Sequence, residues 1–399
     1  MSVKPLFDTL EYLKTTSDSN YPYPADYQYA QEFLYSYRGS EATYNAYRRE
    51  LERLLHWSSL INKKSLKELR RNDIEKFIEF CQRPPIDWIG LKQAPRFINK
   101  DGARTTNPSW RPFVATVSKT AAQQGKTADP KNYAMSQKAL QAVFAVLGSF
   151  YNYLIQEEYV DLNPVAQIRQ KSKFIRKQQS TAPIRRLSEL QWAYVIETAE
   201  KLADNNSQHE RTFFMMNALY SMYLRISELA ASVRWTPEMG DFHKDHDGNW
   251  WFTTVGKGNK QRNIAVSDAM LNALKRYRKS LGLTALPYAG ETTALIPKLK
   301  GTGPMTSTRQ IRAIVQHCFD TAIDHMRADG MQEEAEQMQA ATVHWLRHTG
   351  ISEDVKHRPR EHVRDDAGHG SSAITDKYID VELRARHASN KKKPIKPPE

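Results

Sequence analysis

Apolar residues recur at helical spacing in the first part of the chain. Over residues 44–55 they are separated by steps of three and four, which predicts a helix with one buried face and with Ser40 as its N-cap. A second helix is expected to begin after Asn72 and to end at a Pro-Pro pair, and a long third helix is expected over roughly 135–158. The first helix has a polar face that consists of Arg48, Arg49, Glu50, Glu52 and Arg53.

The pattern changes in the second half of the chain. Ser188 and Gln191 form a capping box, which predicts the start of another helix and of a second domain over 187–387. Alternating residues predict strands at 250–255 and 262–266, joined by the hairpin sequence GKGNKQ, and helical spacing returns after them. The predicted fold is therefore mainly α with a small antiparallel β-sheet.

The remaining boundaries follow from these elements. We expect a loosely attached N-terminal extension over 1–26 and an all-α domain over 27–168. Within that domain, the apolar residues of 86–132 show no regular helical or strand spacing. The segment is rich in Pro and Gly and mixes basic with aromatic side chains. Such an insertion could contact nucleic acid, or Trp110 and Phe113 could anchor it to the domain, and the sequence leaves both open.

A basic segment, 169–186, joins the two predicted domains and contains no acidic residue. It reads as an interdomain linker that is either simply solvated or lies along a DNA backbone, and we favour the DNA interpretation. Its candidate DNA contacts are Arg169, Lys171, Lys173, Arg176, Lys177, Arg185 and Arg186.

Charge and composition narrow the function classes. The chain has 58 Lys and Arg against 45 Asp and Glu, a formal charge of +13, which favours a polyanionic partner such as DNA. The two cysteines, Cys81 and Cys318, argue against a disulfide framework and a thiolate zinc site. The most apolar stretch, 139–155, contains polar residues and predicts a buried helix, so we expect a cytoplasmic protein with no membrane span.

Candidate chemistry lies near the C-terminus, where His344, Arg347, His369 and Tyr378 fall within 35 residues. Phosphodiester cleavage without a metal needs fixed cations for the phosphoryl oxygens, a nucleophile and a general acid. Each residue taken alone has a structural interpretation, such as a helix pair, a turn or a core tyrosine. The histidine spacing matches no metal motif, so neither a metal nor another cofactor is expected.

Four motifs carry a family resemblance: LRISEL at 224–229, VGKGNKQR at 255–262, HWLRHTGIS at 344–352 and GHGSSAITDKY at 368–378. Together they resemble the tyrosine recombinases, also called the phage integrase family. The resemblance covers about 188–387 and is looser over the helical domain. It implies an all-α core-site DNA-binding domain and an α+β catalytic domain that close on a duplex as a C-shaped clamp.

The resemblance also implies roles for individual residues. Arg225 and Arg347 would hold the scissile phosphate, and Tyr378 would attack it to give a 3′-phosphotyrosyl link. Lys257 would be the general acid, with Lys260 a less well matched candidate. His344 would contact the phosphate and help to accept the tyrosine proton, His369 would hydrogen-bond a phosphoryl oxygen, and Glu228 would orient the site. Lys260 and Arg262 join the candidate DNA contacts.

The implied activity is site-specific recombination of double-stranded DNA through a Holliday junction, without metal or ATP, by a homo-tetramer on paired sites. Integration or excision of a prokaryotic mobile element is our first interpretation, with directionality or host DNA-bending factors as candidate partners. The alternatives are Xer-type resolution of replicon dimers, a type IB topoisomerase, and a catalytically silent DNA-binding protein of this fold.

The chain departs from the family pattern in several segments. Residues 353–366 are strongly polar where the family usually has an apolar helix, and Ala367 replaces the usual Leu. The insertion is longer than in a minimal recombinase, and 1–26 is too short for a separate arm-site domain. We expect residues 381–389 to dock on a neighbouring protomer. Residues 388–399 form a basic C-terminal tail, of which 391–399 are expected to be frayed.

Overall fold

The computed structural model describes residues 3–14, 21–169, 185–256, 258–371, 374–375, 378 and 391. The chain divides into two compact units, Met1–Ser180 and Thr181–Glu399. Each has its own hydrophobic core.

Unit 1 is a group of helices with a small β insertion. Leu51, Phe77 and Leu147 contribute to its core from three different helices, as the helical spacing predicted. In chain order its elements are α1 (Pro24–Ser36), α2 (Glu41–His56), α3 (Arg71–Gln82), β1 (Ile89–Gly90), β2 (Phe97–Lys100), β3 (Ala103–Thr106), β4 (Phe113–Val114), α4 (Lys119–Gln123), α5 (Gln137–Gln156) and α6 (Ala166–Arg169).

The prediction of an all-α first domain was wrong within the insertion. Strands β2 and β3 pair as an antiparallel hairpin, and β1 pairs with β4 in parallel. Both pairs are short, and the side chains of β3 are largely exposed, so the sequence shows no clear alternation of apolar residues that would have predicted them.

The N-terminal segment is also not a loose extension. Leu6 and Phe7 are buried in the core of unit 1, and both donate their backbone N–H to Glu52 at 3.1 Å. Asp8 forms an ion pair with Arg104 of the insertion at 2.7 Å. The segment is held by apolar burial and by buried polar contacts that cross long stretches of sequence.

Helix α2 buries much of the polar face that the sequence predicted for it. Glu52 is fully buried and pairs with Arg96 at 2.7 Å, while Arg53 pairs with Glu50 at 2.8 Å and donates to the carbonyl of Pro112 at 3.0 Å. The charges tolerate burial because each has a charged or hydrogen-bonded partner.

These contacts favour the anchoring interpretation of the insertion. Trp110 and Phe113 are buried in the core of unit 1. Arg96 and Arg104, two of its basic residues, face carboxylates of unit 1. These two ion pairs therefore help to hold the insertion in place.

Unit 2 is mainly helical, with one three-stranded antiparallel sheet, as predicted. The sheet order is β5-β6-β7, with Phe252 opposite both Phe242 and Ile264. In chain order its elements are α7 (Glu189–Asn205), α8 (Glu210–Ser221), α9 (Ile226–Leu229), β5 (Phe242–Lys244), β6 (Trp250–Val255), β7 (Gln261–Ala265), α10 (Asp268–Ser280), α11 (Thr308–Ala328), α12 (Gln332–Met338), α13 (Val343–Asp354) and α14 (Arg360–Ala367).

Local signals account for the helix starts of unit 2. The capping box of Ser188 and Gln191 opens α7, and Ser267 and Ser307 cap α10 and α11 through side-chain oxygens. Over the described ranges, no helix has both the length and the apolar character needed to cross a bilayer.

The polar segment after α13 folds into α14, which ion pairs attach to the unit. Arg358 contacts Asp354 at 3.1 Å and Asp366 at 2.6 Å, and it donates to the Tyr223 hydroxyl at 2.9 Å. Val363 and Ala367 supply a narrow fully buried face. Charged contacts thus supplement a small apolar face in positioning the residues that follow.

Candidate active site

Glu228 is a buried carboxylate that joins two arginines. It is 1% exposed, and Arg262 reaches both of its oxygens, at 2.8 and 2.9 Å. Arg225, the N-cap of α9, contacts the same carboxylate through its backbone N–H at 2.8 Å and its guanidinium at 3.0 Å. Burial alone would raise the pKa of Glu228, but the bonds and charge of Arg262, followed by those of Arg225, lower it, so the group is ionised at neutral pH.

Arg347 lies on α13 with 3% of its surface exposed. Its guanidinium donates to the carbonyl of Tyr223 and, at 2.5 Å, to the carbonyl of Ala367. Tyr223 has a φ of +50°, a conformation rare for tyrosine, and its carbonyl accepts from Arg347. Burial and repulsion from Arg225 lower the pKa of Arg347 to about 9, and the charge of Glu228 offsets this only in part. Such a group is suited to receive an anion.

Tyr378 is 7% exposed and its phenol meets a histidine that the sequence interpretation had not singled out. The Tyr378 oxygen is 2.5 Å from Nδ1 of His348. Burial raises the pKa of Tyr378, and the charges of Arg347 and Arg225 lower it only in part. The phenol is therefore protonated at neutral pH.

Two further histidines complete the cluster. The His369 ring stacks beside Tyr378, with 5.9 Å between ring centroids, and its Nδ1 is 2.9 Å from the Thr375 hydroxyl. The His344 ring contacts His348 edge-on at 4.5 Å. Burial, followed by Arg347, lowers the pKa of His369 to about 4, so this ring is neutral at pH 7.

Gly368 allows these groups to approach one another. Its φ of +62° ends α14, and a β-carbon there would lie 2.9 Å from Cδ of Arg262. The Gly368 carbonyl is also 3.5 Å from the Arg225 guanidinium. A larger residue would be strained in conformation and would displace Arg262.

The fold thus brings together Arg225, Glu228, His344, Arg347, His369 and Tyr378, six of the seven residues assigned to the site. Lys257 lies outside the described residues. The backbone of the preceding residue, Gly256, packs against this cluster, since a β-carbon there would lie 3.0 Å from a Glu228 oxygen. Within the described part of the chain, no group of His, Cys, Asp and Glu side chains is arranged to hold a metal ion.

The candidate DNA contacts have a mixed outcome. Arg185 and Lys260 are exposed and Arg186 is half-buried, so they remain candidates. Arg262 needs correction, because its guanidinium is engaged with Glu228 and with the carbonyl of Asp366 at 3.0 Å. Residues outside the described ranges are Lys171, Lys173, Arg176 and Lys177, and nothing is described of the side chain of Arg169.

Sequence reasoning missed the contact of His348, although a signal was present. His344 and His348 are four residues apart on one helix, so they share a face, and a face that carries one site histidine carries both. The roles of Arg262 and Tyr223 had no comparable local signal.

The profile of the phage integrase family matches residues 185–384, half of the chain. The chain belongs to the phage integrase family. The match begins in the described part of the chain just before α7 and includes every residue of the cluster described above.

Relatives agree with the family assignment. The tyrosine recombinase XerD of Rickettsia prowazekii (strain Madrid E) is 29% identical over 140 residues, 35% of this integrase-family chain and 42% of that protein. The aligned segment therefore spans less than half of that relative's length. XerD of Rickettsia conorii (strain ATCC VR-613 / Malish 7) is 25% identical over 36% of this chain and 44% of that protein.

Solved structures share the fold at low identity. XerH site-specific recombinase bound to a palindromic difH substrate has a TM-score of 0.58 and 13% identity, over 96% of this chain and 93% of that chain. The Tn1549 transposon integrase in complex with a circular intermediate DNA has a TM-score of 0.50 and 14% identity, over 92% and 98%. At these identities the likeness concerns the fold alone.

Proposed function

We propose that this chain is a site-specific DNA recombinase that cuts and rejoins strands through Tyr378. The observation that carries the proposal is the grouping of one buried tyrosine with two arginines, Arg225 and Arg347, and three histidines. A phosphodiester placed among these groups would have cations at its phosphoryl oxygens and a phenol beside its phosphorus. Family membership supports the same reaction.

The chemistry follows from these groups. Arg225 and Arg347 would neutralise the charge that the phosphoryl oxygens gain in the transition state, as metal ions do in other enzymes. His344 and His369 would hydrogen-bond the same phosphate. Lys257 would protonate the departing 5′ oxygen, and Tyr378 would remain attached to the 3′ phosphate. The phosphotyrosyl link retains the energy of the phosphodiester bond that was broken. A 5′ hydroxyl could therefore rejoin the strand without ATP.

Strand exchange would need paired sites and several copies of the chain. We propose a homo-tetramer acting through a Holliday junction on DNA in a prokaryotic cytoplasm. The similarity in fold to a lambda integrase tetramer bound to a Holliday junction, with a TM-score of 0.50 over 90% of this chain, supports this assembly. A type IB topoisomerase would relax DNA without pairing two sites.

Two biological roles compete. Integration or excision of a mobile element is the first, supported by the likeness to a transposon integrase. Resolution of replicon dimers is the second, supported by the sequence match to XerD proteins. The location of the cleavage site would separate them, because an element's integrase cuts at the ends of that element.

The test is covalent capture. The purified chain is incubated with sheared DNA from its own source, adducts are precipitated with SDS and potassium, and the attached DNA is sequenced. We expect one recurrent sequence with protein on its 3′ phosphate, and a nicked duplex made from it should form the adduct in high yield. Tyr378→Phe should form none, whereas Tyr288→Phe, which alters a tyrosine that is 67% exposed, should match wild type.

Two results would reject the proposal. One is tight binding of duplex DNA by wild type with no adduct, which would indicate a catalytically silent DNA-binding protein. The other is an adduct that persists in Tyr378→Phe, which would show that another residue is the nucleophile.

A further inference from the structure

His348 has the most direct contact with the reacting oxygen. Its Nδ1 lies 2.5 Å from the Tyr378 hydroxyl oxygen, and the two ring centroids are 5.5 Å apart. His369 stacks on the tyrosine ring, but its own Nδ1 is engaged with Thr375 at 2.9 Å. His344 contacts the ring of His348, 4.5 Å between centroids. Among these histidines, His348 is therefore the one placed to exchange a proton with the phenol.

The electrostatics keep His348 able to accept that proton. Burial, then the neighbouring His344, Arg347 and His369, lower the pKa of His348 to about 4. The ring is neutral at pH 7 and has one nitrogen without a proton. We assign the ring proton to Nε2, so that the Tyr378 hydroxyl donates to Nδ1.

Tyr378 needs such an acceptor. Burial raises the pKa of the phenol, and the charges of Arg347 and Arg225 offset this only in part. A phenol that retained its proton would be a weak nucleophile toward phosphorus. A base at hydrogen-bonding distance removes that limitation during the attack itself.

We propose that His348 is the general base that takes the hydroxyl proton of Tyr378 during cleavage and returns it during rejoining. In cleavage the Tyr378 oxygen bonds to phosphorus, its proton passes to Nδ1 of His348, and the bond from phosphorus to the 5′ oxygen breaks. That leaving oxygen takes a proton from the general acid, for which Lys257 is proposed. Rejoining reverses each transfer. This inference rests on the proposed function and moves the role of proton acceptor from His344 to His348.

A bound phosphodiester would make His348 a stronger base. The charged and titratable groups that act on His348 and on its phenol partner are His344, Arg347, His369 and Arg225, all cationic or neutral. A phosphate placed between the arginines would add a negative charge close to His348, which favours the imidazolium. The base would thus gain strength when substrate is present.

The test compares two substitutions that differ in one property. His348→Asn places an amide oxygen near the Nδ1 position, so it can accept a hydrogen bond from Tyr378 but cannot take a proton. His348→Ala removes both functions. The rate of adduct formation is measured under single-turnover conditions on the nicked duplex recovered by covalent capture. Each variant should be slower by about 100- to 10,000-fold, with duplex affinity within about threefold of wild type, since loss of a base does not remove phosphate contacts.

Two further measurements identify the step. Imidazole added to His348→Ala should restore part of the rate. A substrate with sulfur in place of the bridging 5′ oxygen has a leaving group that needs no acid, so it should rescue Lys257→Ala but neither His348 variant. His362→Gln, an exposed histidine on α14, serves as the matched control and should react at the wild-type rate.

Several results would overturn the inference. If His348→Asn is as fast as wild type, the contact only positions the tyrosine. If the sulfur substrate rescues the His348 variants, the residue acts on the leaving group. Circular dichroism will show whether His348→Ala is folded to the same extent as wild type. If it is, and imidazole still fails to accelerate its reaction, His348 does not act by accepting a proton. Failure of wild type to form any adduct would instead reject the proposed function.

Discussion

Arg262 illustrates how a surface charge in the sequence becomes an internal support in the fold. The motif VGKGNKQR made it a candidate DNA contact, yet its guanidinium reaches both oxygens of Glu228 and the carbonyl of Asp366. Glu228 in turn contacts Arg225. We infer that Arg262 fixes the position of Arg225 and of the backbone that precedes His369.

Replacement of Arg262 by Gln should therefore affect stability and rate more than DNA affinity. Loss of the paired cation beside a buried carboxylate should lower the free energy of unfolding by about 2–3 kcal/mol. Adduct formation should slow, while duplex affinity and its salt dependence stay near wild type. Urea unfolding measures the change in stability, and filter binding measures the duplex affinity. Arg327→Gln, which removes an exposed pair with Asp324, should change stability by less than about 1 kcal/mol. A large loss of affinity with unchanged stability would restore the DNA-contact interpretation.

The histidines of the cluster make stability depend on pH. His348 and His369 each have a pKa near 4 in the folded chain, below the value of about 6.5 for an unfolded histidine. The unfolded state binds more protons between those values, so their contribution to stability is complete above the unfolded pKa and falls as pH drops toward 4.

The measurement compares urea midpoints at pH 7 and pH 4.5. Wild type should lose more stability across this interval than the double variant His348→Asn, His369→Asn. The exposed His362→Gln should behave as wild type. Equal losses in wild type and in the double variant would show that the two rings do not carry the pH dependence.

At the scale of elements, α14 depends on charged contacts as well as on its narrow apolar face. Arg358 bridges Asp354 of α13 and Asp366 of α14 and contacts the Tyr223 hydroxyl. Arg358→Met should speed amide hydrogen exchange over 358–371 and slow adduct formation, because His369 follows this helix. Arg360→Met, an exposed change at the start of the same helix, should leave both unchanged. Equal exchange in the two variants would mean that the apolar face alone holds α14.

The parts of unit 1 differ in how well the local sequence pattern predicted their structure. Helices α2, α3 and α5 were predictable because their apolar faces repeat at helical spacing and their ends carry caps or prolines. The N-terminal segment and the β insertion were not predictable in this way. Glu52 of α2 contacts both of them, through the Leu6 N–H and through Arg96, and Arg104 of the insertion pairs with Asp8 of the segment. Periodicity identifies an apolar face but not what covers a polar one.

At the scale of the whole molecule, net charge should govern DNA affinity. With a formal charge of +13, binding should weaken steeply with salt through counterion release. The double variant Arg185→Gln, Arg186→Gln should reduce the slope of log K against log salt by about one unit for each phosphate that the variant no longer neutralises. Arg327→Gln is the control. An unchanged slope would place the linker arginines away from the DNA backbone.

By itself the sequence determined which chemical groups the chain contains, the order of its motifs, and the positions of most of its helices. These depend on local spacing and residue type. The tertiary structure decided which groups meet. The contact of His348 with Tyr378, the use of Arg262 and Tyr223 as supports, and the burial of the N-terminal segment join residues far apart in the chain. No local pattern encodes such pairs, since they arise only when separate elements pack together.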